Sequence, residues 1–281
     1  MRIGRGIGRT ARWLVAAVMA FGVSTAMAQI TNTKHNLGST AGNPGTTKST
    51  GTDEICVFCH TPHAADSFTG APLWNKRIDM TKTYTIYGTS SSTMDAARAT
   101  GGMTASPSIG SVSLACLSCH DGAQAMDNIL NAPGSGGYAA DGGGATGLAW
   151  AGWAGNATAA GVMTNAATTL AMLDTDLSND HPIGIRYCGG GPTTGAMTAS
   201  CVDADFKAPA NNGTAWWVDT EGTPNGTRNK TDMILYTRSF ASGTDGPSVE
   251  CASCHDPHTS NTTFLRIANT GSAVCLACHS K

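Results

Sequence analysis

Four times the chain carries two thiols three positions apart with an imidazole immediately after them. The segments are Cys56-Val57-Phe58-Cys59-His60, Cys116-Leu117-Ser118-Cys119-His120, Cys251-Ala252-Ser253-Cys254-His255 and Cys275-Leu276-Ala277-Cys278-His279. C-x-x-C-H is the attachment sequence of c-type haem. Thiols at i and i+3 lie on one side of a helical turn, where both can add to the vinyl groups of one porphyrin. The next residue then falls under the iron as its proximal ligand. A redox dithiol needs no following His, and zinc sites would join the motifs two by two and leave histidines over. Because His follows every one of these pairs, the expectation is four covalently bound haems c, held by these twelve residues.

The other histidines decide what such haems would do. Of eight in the chain, His60, His120, His255 and His279 are the proximal set. His35, His63, His181 and His258 then match the four remaining axial positions in number, which predicts bis-His ligation throughout. Methionine is the rival sixth ligand, offered by Met80, Met94, Met103, Met126, Met163, Met172, Met197 and Met233. Bis-His irons have no open position, so low-potential electron carriage is expected and bond-making chemistry is not. His63 and His258 each follow a proximal His by three residues, in His60-Thr61-Pro62-His63 and His255-Asp256-Pro257-His258. So short a segment with a rigid proline inside cannot reach round the porphyrin, so each is expected on a different haem. That brings haems together in pairs.

The elements needed to position these groups are few. Helical turns are expected at each motif, short strands at 83–87 and 233–237, and coil elsewhere. The order of motifs is doubled: C-x-x-C-H-x-P-H then plain C-x-x-C-H, at Cys56 and Cys116 and again at Cys251 and Cys275. This predicts two two-haem units, 56–120 and 251–279, joined by a Gly/Ala/Thr-rich middle region. Residues 132–170 of that region read as coil over haem faces or as a disordered linker. Trp150, Trp153 and the pair Trp216-Trp217 argue for packing. Cys188 and Cys201 are the two cysteines left over, and in an oxidising compartment a disulfide between them is expected.

Composition agrees with export and with an interior not built from protein alone. The 281 residues are 13% charged and 6% aromatic and include 35 glycines, a thin supply for a core. The net charge of −2 offers no basic field for nucleic acid. Arg2, Arg5, Arg9 and Arg12 precede an apolar run from Trp13 to Val23 and an Ala26-Met27-Ala28 cleavage site. Residues 1–28 therefore read as a signal peptide, with the mature chain at 29–281. The run is too short to cross a bilayer, no Cys at the mature start offers a lipid site, and no membrane anchor is expected. Without the leader, 13 basic residues face 19 acidic ones. Haem propionates would add further negative charge.

The segments CVFCHTPH, SLACLSCHDG, DLSNDHPIG, VECASCHDPH and FLR…CLACHSK resemble, in this order, the small multihaem cytochromes of metal-reducing bacteria. The closest resemblance is to the four-haem extracellular cytochromes of the OmcE type, which polymerise into filaments. It covers the chain from about His35 onward, with residues 132–173 outside any matched pattern. It implies a multihaem c-type cytochrome fold, mostly coil with short helices at the haem motifs and a few short strands, wrapped around a stacked haem chain. It also implies His63, His181 and His258 as distal ligands. His35 precedes a Ser/Thr/Gly/Asn-rich segment, and the stretch from His35 to Cys56 could extend to roughly 70 Å. It could therefore serve its own subunit or a neighbour.

Three functions follow as alternatives. In the first, the chain is a secreted filament subunit, with copies of itself as partners. Periplasmic or outer-membrane cytochromes would be its donors, and metal oxides, electrodes or cells its acceptors. The second is a discrete periplasmic tetrahaem shuttle. The third, a multihaem reductase, needs an open iron site, against which the histidine count speaks. No catalytic residue is expected.

Overall fold

The computed structural model describes residues 29–39, 45, 47–67, 70–79, 82–86, 109–135, 137–138, 153–164, 170–221, 226–240 and 244–280. The expected signal peptide, Tyr87 and all of 139–152, Trp150 included, lie outside the described residues. Most of the described chain is turn and coil. No described helix is long and apolar enough to cross a membrane.

The regular helices are the haem motifs themselves. They are α1 (Ser111–His120), α2 (Cys251–Cys254) and α3 (Ala273–Cys278), with a 3-10 turn at Cys56–Phe58. Neither α1 nor α2 is left with an unsatisfied start. Glu250 is the N-cap of α2 in a reciprocal capping box with Ser253. Its carboxylate also reaches the start of α1, where Oε2 accepts from the Gly110 amide at 3.1 Å and the Ser113 hydroxyl at 2.5 Å. One carboxylate thus sits at two helix N-termini, where the helix dipoles favour negative charge. The two expected haem units therefore meet directly.

Short strand pairs hold the N-terminal part. β1 (Lys48–Ser49) pairs antiparallel with β3 (Trp153–Ala154), and β2 (Thr85–Ile86) pairs parallel with β4 (Asp176–Leu177). Backbone bonds from Ser49 to the Leu37 carbonyl and from Ser39 to the Thr52 carbonyl fold the segment after His35 back on itself. The extended reach open to His35 in the sequence is not what the chain adopts.

The C-terminal part contains an antiparallel sheet of five strands, in the order β5-β9-β8-β7-β6. These are β5 (Ile185–Arg186), β6 (Ala210–Asn211), β7 (Trp216–Val218), β8 (Met233–Ser239) and β9 (Asp245–Val249). β8 was visible in the sequence as the β-rich run at 233–237, in which Met233 and Leu235 are the alternating buried positions. β9 was not, because Asp-Gly-Pro-Ser-Val reads as a turn. Pro247 is the register partner of Thr237 in β8, while on the other side β5 pairs only with Ser248 and Val249 and asks for no donor at position 247.

Three small apolar clusters replace one core. The first packs Tyr187, Trp216, Met233 and Leu235 against α3; the second packs Trp74, Ile109, Leu114 and Leu177; the third packs Val57, Phe58 and Ile129. Each lies against a C-x-x-C-H motif, with Cys254 and Cys278 at the edge of the first cluster and Cys59 at the edge of the other two. Cys188 and Cys201 are disulfide-bonded. The bridge closes a loop against the first cluster.

Candidate functional site

A single backbone device recurs at the proximal histidines. In the first motif Thr61 donates its amide to the Leu73 carbonyl, and Asn75 donates to the Cys59 carbonyl. In the third, Asp256 donates to Phe264 and Arg266 to Cys254; in the fourth, Ser280 donates to Asp205 and Lys207 to Cys278. A short strap thus pairs with each His in antiparallel register, as His60 with Trp74, His255 with Leu265 and His279 with Phe206. The second motif uses one bond, from Leu173 to the His120 carbonyl.

The strap also fixes which imidazole nitrogen carries hydrogen. Nδ1 of His60 lies 2.7 Å from the Pro72 carbonyl oxygen, that of His120 2.6 Å from Ala171, and that of His255 2.8 Å from Thr263. A carbonyl only accepts, so Nδ1 must donate, and the Nε2 lone pair is left for a metal. Leu73 and Phe264, one residue beyond the accepting carbonyl in the first and third straps, take positive φ values of 52° and 59°. Non-glycine residues adopt that region at a cost. Here the turn aims the carbonyl at the ring.

Two of the remaining histidines lie beside proximal ones. His258 stands 6.1 Å from His60 between centroids at an interplanar angle of 14°, and His35 stands 6.1 Å from His120 at 61°. Two imidazoles on opposite sides of one metal, with bonds of about 2 Å, hold their centroids about 6 Å apart. His258 therefore faces the proximal residue of another motif, and its Nδ1 lies 3.2 Å from Asp256 Oδ1. His35 faces a proximal residue of its own chain. It stacks on Phe264 at 4.0 Å, and its pKa is lowered to about 4, chiefly by burial and then by His120, against a bond to the Pro257 carbonyl. Burial and the neighbouring His120 thus disfavour its charged form.

The other two spare histidines are placed differently. His181 holds Nδ1 3.1 Å from the Pro182 carbonyl. Its pKa is lowered by desolvation and, after an opposing push from that carbonyl, by His279 and His255, which sets it beside the two C-terminal motifs. His63 is exposed, and among the described residues its ring pairs with no other histidine. Its carbonyl accepts from Thr61 Oγ1 and Asn131 Nδ2.

The eight motif cysteines form no disulfide, and their neighbours order the motifs into a row. Cys59 is influenced by Cys119, Cys116 hydrogen-bonds to Cys251, and Cys254 feels Cys275 and Cys278 electrostatically. Burial, ahead of those neighbours, pushes the Cys59 and Cys278 thiols up to about 12 and Cys254 up to about 11. Cys251 is shifted down, chiefly by its side-chain hydrogen bond with Cys116, against the opposing effect of burial. Reactive dithiols and zinc ligands want depressed values. No cluster of three or more metal-ligating side chains occurs among the described residues.

The residues present fit a covalently held haem. Beyond the thiol and imidazole set, the buried indole Nε1 of Trp74, whose ring edge faces His60 at 6.2 Å, has no acceptor in the protein. A haem propionate would supply one, since buried donors are ordinarily paired. The buried Nε1 atoms of Trp216 and Trp217 are likewise without a protein acceptor. Sequence reasoning missed the straps; in the first and third motifs their trace is an apolar pair downstream of the proximal His, Leu73-Trp74 and Phe264-Leu265, and the strap of the fourth lies upstream, at Phe206.

Comparison with known families matches residues 245–281 to the doubled CXXCH motif. No curated protein matches the chain. A doubled CXXCH motif indicates a multihaem c-type cytochrome, implies covalently attached haem c, and supports a role in electron transfer.

Proposed function

We propose that the chain is a non-catalytic electron-transfer protein holding four bis-His haems c, exported after removal of residues 1–28, and a subunit of an extracellular filament. Its donors are periplasmic or outer-membrane cytochromes, and its acceptors are external metal oxides, electrodes or cells. The observation that carries the four-haem reading is the 6.1 Å spacing of His60 from His258 and of His35 from His120, together with the row of motifs traced by their cysteines. When bound, such haems accept and release single electrons without bond-making. The protein's part would be to hold the Nε2 atoms of His60, His120 and His255 in place through the strap carbonyls, to offer further histidines as partners, and to keep successive motifs in contact.

For assembly, the resemblance to filament-forming cytochromes is supported by His63, exposed and unpaired with any histidine among the described residues. A neighbouring copy can reach it. His35, turned toward His120 of its own chain, is the weaker candidate for ligation in trans. That same contact favours the second reading, a discrete periplasmic tetrahaem shuttle, because it completes one site without a neighbour.

Haem counting by the pyridine haemochrome method and by intact mass tests the stoichiometry, with four haems expected and fewer refuting it. Electron micrographs of wild type and His63→Ala separate the readings of assembly. The filament reading expects ordered polymers from the wild type and their loss in the variant, and monodisperse particles from both favour the shuttle.

A further inference from the structure

Trp74, Asn75 and Lys76 cross behind the first motif as one extended stretch. The Asn75 amide donates to the Val57 and Asn131 carbonyls at 2.6 and 2.9 Å, so the side chains on either side of it leave by the opposite face. Lys76 is fully buried. Its Nζ donates to the Ala125 carbonyl at 2.8 Å and to the Met126 carbonyl at 3.3 Å. Those acceptors are dipoles without net charge, and among the described residues no carboxylate lies within ion-pair distance of Nζ. Lysine is almost never fully buried unless paired. The stretch is also the strap of the first motif, with Asn75 bonded to the Cys59 carbonyl.

We propose that Lys76 is a buried ammonium that raises the reduction potential of the haem held by Cys56 and Cys59 above the value its two histidine ligands alone would set. Reduction of that iron adds one electron and lowers the local charge by one. A fixed positive charge nearby therefore favours the reduced form, and the low-dielectric surroundings keep it unscreened. The inference rests on the haem assignment of the first motif and is independent of filament assembly.

The test is a spectroelectrochemical titration of the haem-loaded protein, wild type against Lys76→Met, which keeps the length of the side chain and removes the charge. At about 10 Å and an effective dielectric near 20, one unit charge changes such an equilibrium by on the order of tenfold. The reduced-to-oxidised ratio of one haem component is expected to fall about tenfold at fixed potential, equal to about 59 mV, while the others hold their values. Lys76→Gln, which retains a donor for the carbonyls, is expected to move the same component in the same direction. Unmoved components in a haem-loaded variant overturn the proposal. Should neither variant fold, nitrogen-15 lysine NMR of the fully reduced wild type decides: a slowly exchanging ammonium supports the proposal and a neutral amine overturns it. A peptide spanning 56–60 that carries no haem by mass refutes the underlying assignment instead.

Discussion

Replacing Glu250 by Ala tests whether the junction between the two pairs of motifs is held by one carboxylate. Glu250 is buried and accepts from the Gly110 amide, the Ser113 and Ser248 hydroxyls and Arg238 Nη1, at 3.1, 2.5, 3.2 and 3.2 Å. Truncation leaves the largely buried Arg238 guanidinium without its partner, which costs about 3–5 kcal/mol for a broken buried pair. Loss of the cap on α2 accounts for about 1 kcal/mol of comparable changes. The assay is guanidinium unfolding of the haem-loaded protein, followed by far-ultraviolet circular dichroism. A double-mutant cycle supplies the control. In the Glu250→Ala background, Arg238→Met should cost almost nothing or restore stability, because the orphaned charge is then gone. A loss below about 1 kcal/mol in Glu250→Ala, or additive costs in the double variant, would refute the reasoning.

Four further outcomes are expected. His258→Ala removes the ring facing His60 and should convert one haem per chain to a high-spin form that binds carbon monoxide; a fully low-spin spectrum counts against the pairing. His35→Ala should do the same for the haem at His120, even in dilute monomer, and a change seen only in polymer would place His35 in trans. Serine at both Cys188 and Cys201, which are 13 positions apart, should lower stability by up to about 3 kcal/mol, read from the denaturation midpoint. Asp121 pairs with Lys82 and accepts from the Ala123 and Gln124 amides at 2.9 and 3.1 Å. Burial alone would raise its pKa, but these partners hold it below the ordinary value. The sign follows from linkage: a depressed carboxyl pKa gives stability present above the unfolded value of about 3.9 and lost as pH falls through the folded one. Asp121→Asn should therefore flatten the acid limb of the stability profile, and an unchanged limb would contradict the assignment.

The motif residues were legible because covalent chemistry ties them to a fixed local spacing. Cys188 and Cys201 were legible as the two cysteines left over from the motifs, and the structure joins them. The direction of His258 was legible: three residues with a proline cannot double back, and its ring lies beside His60 of another motif, whereas the His63 ring pairs with no histidine among the described residues. What was not legible depends on contacts distant in sequence. The Ala171 carbonyl lies 51 positions from His120, and Glu250 reaches Gly110 across 140 positions. β9 was hidden by its glycine and proline, whose tolerance depends on how short its neighbour β5 is. The direction of His35 was open because the sequence between His35 and Cys56 permits many reaches, and backbone bonds at Leu37 and Ser39 shorten the path.

The straps explain how a chain with so little regular structure can hold rings to defined positions. A haem motif of one helical turn cannot orient its own imidazole, since the His lies at or just beyond the last residue of the turn. His255 and His279, for instance, are already extended, with ψ of 140° and 145°. A second segment must supply the acceptor for Nδ1, and an antiparallel pair of backbone bonds places it with the fewest residues. Each strap in turn needs a small apolar cluster behind it, which is why the core is divided among the motifs and not gathered in one place. Such an arrangement makes each site nearly self-contained, so the relative placement of sites falls to a few long-range contacts, of which Glu250 is the clearest. Disturbing a strap should therefore alter one haem, whereas disturbing Glu250 should alter the spacing between haems and leave each one's ligation intact.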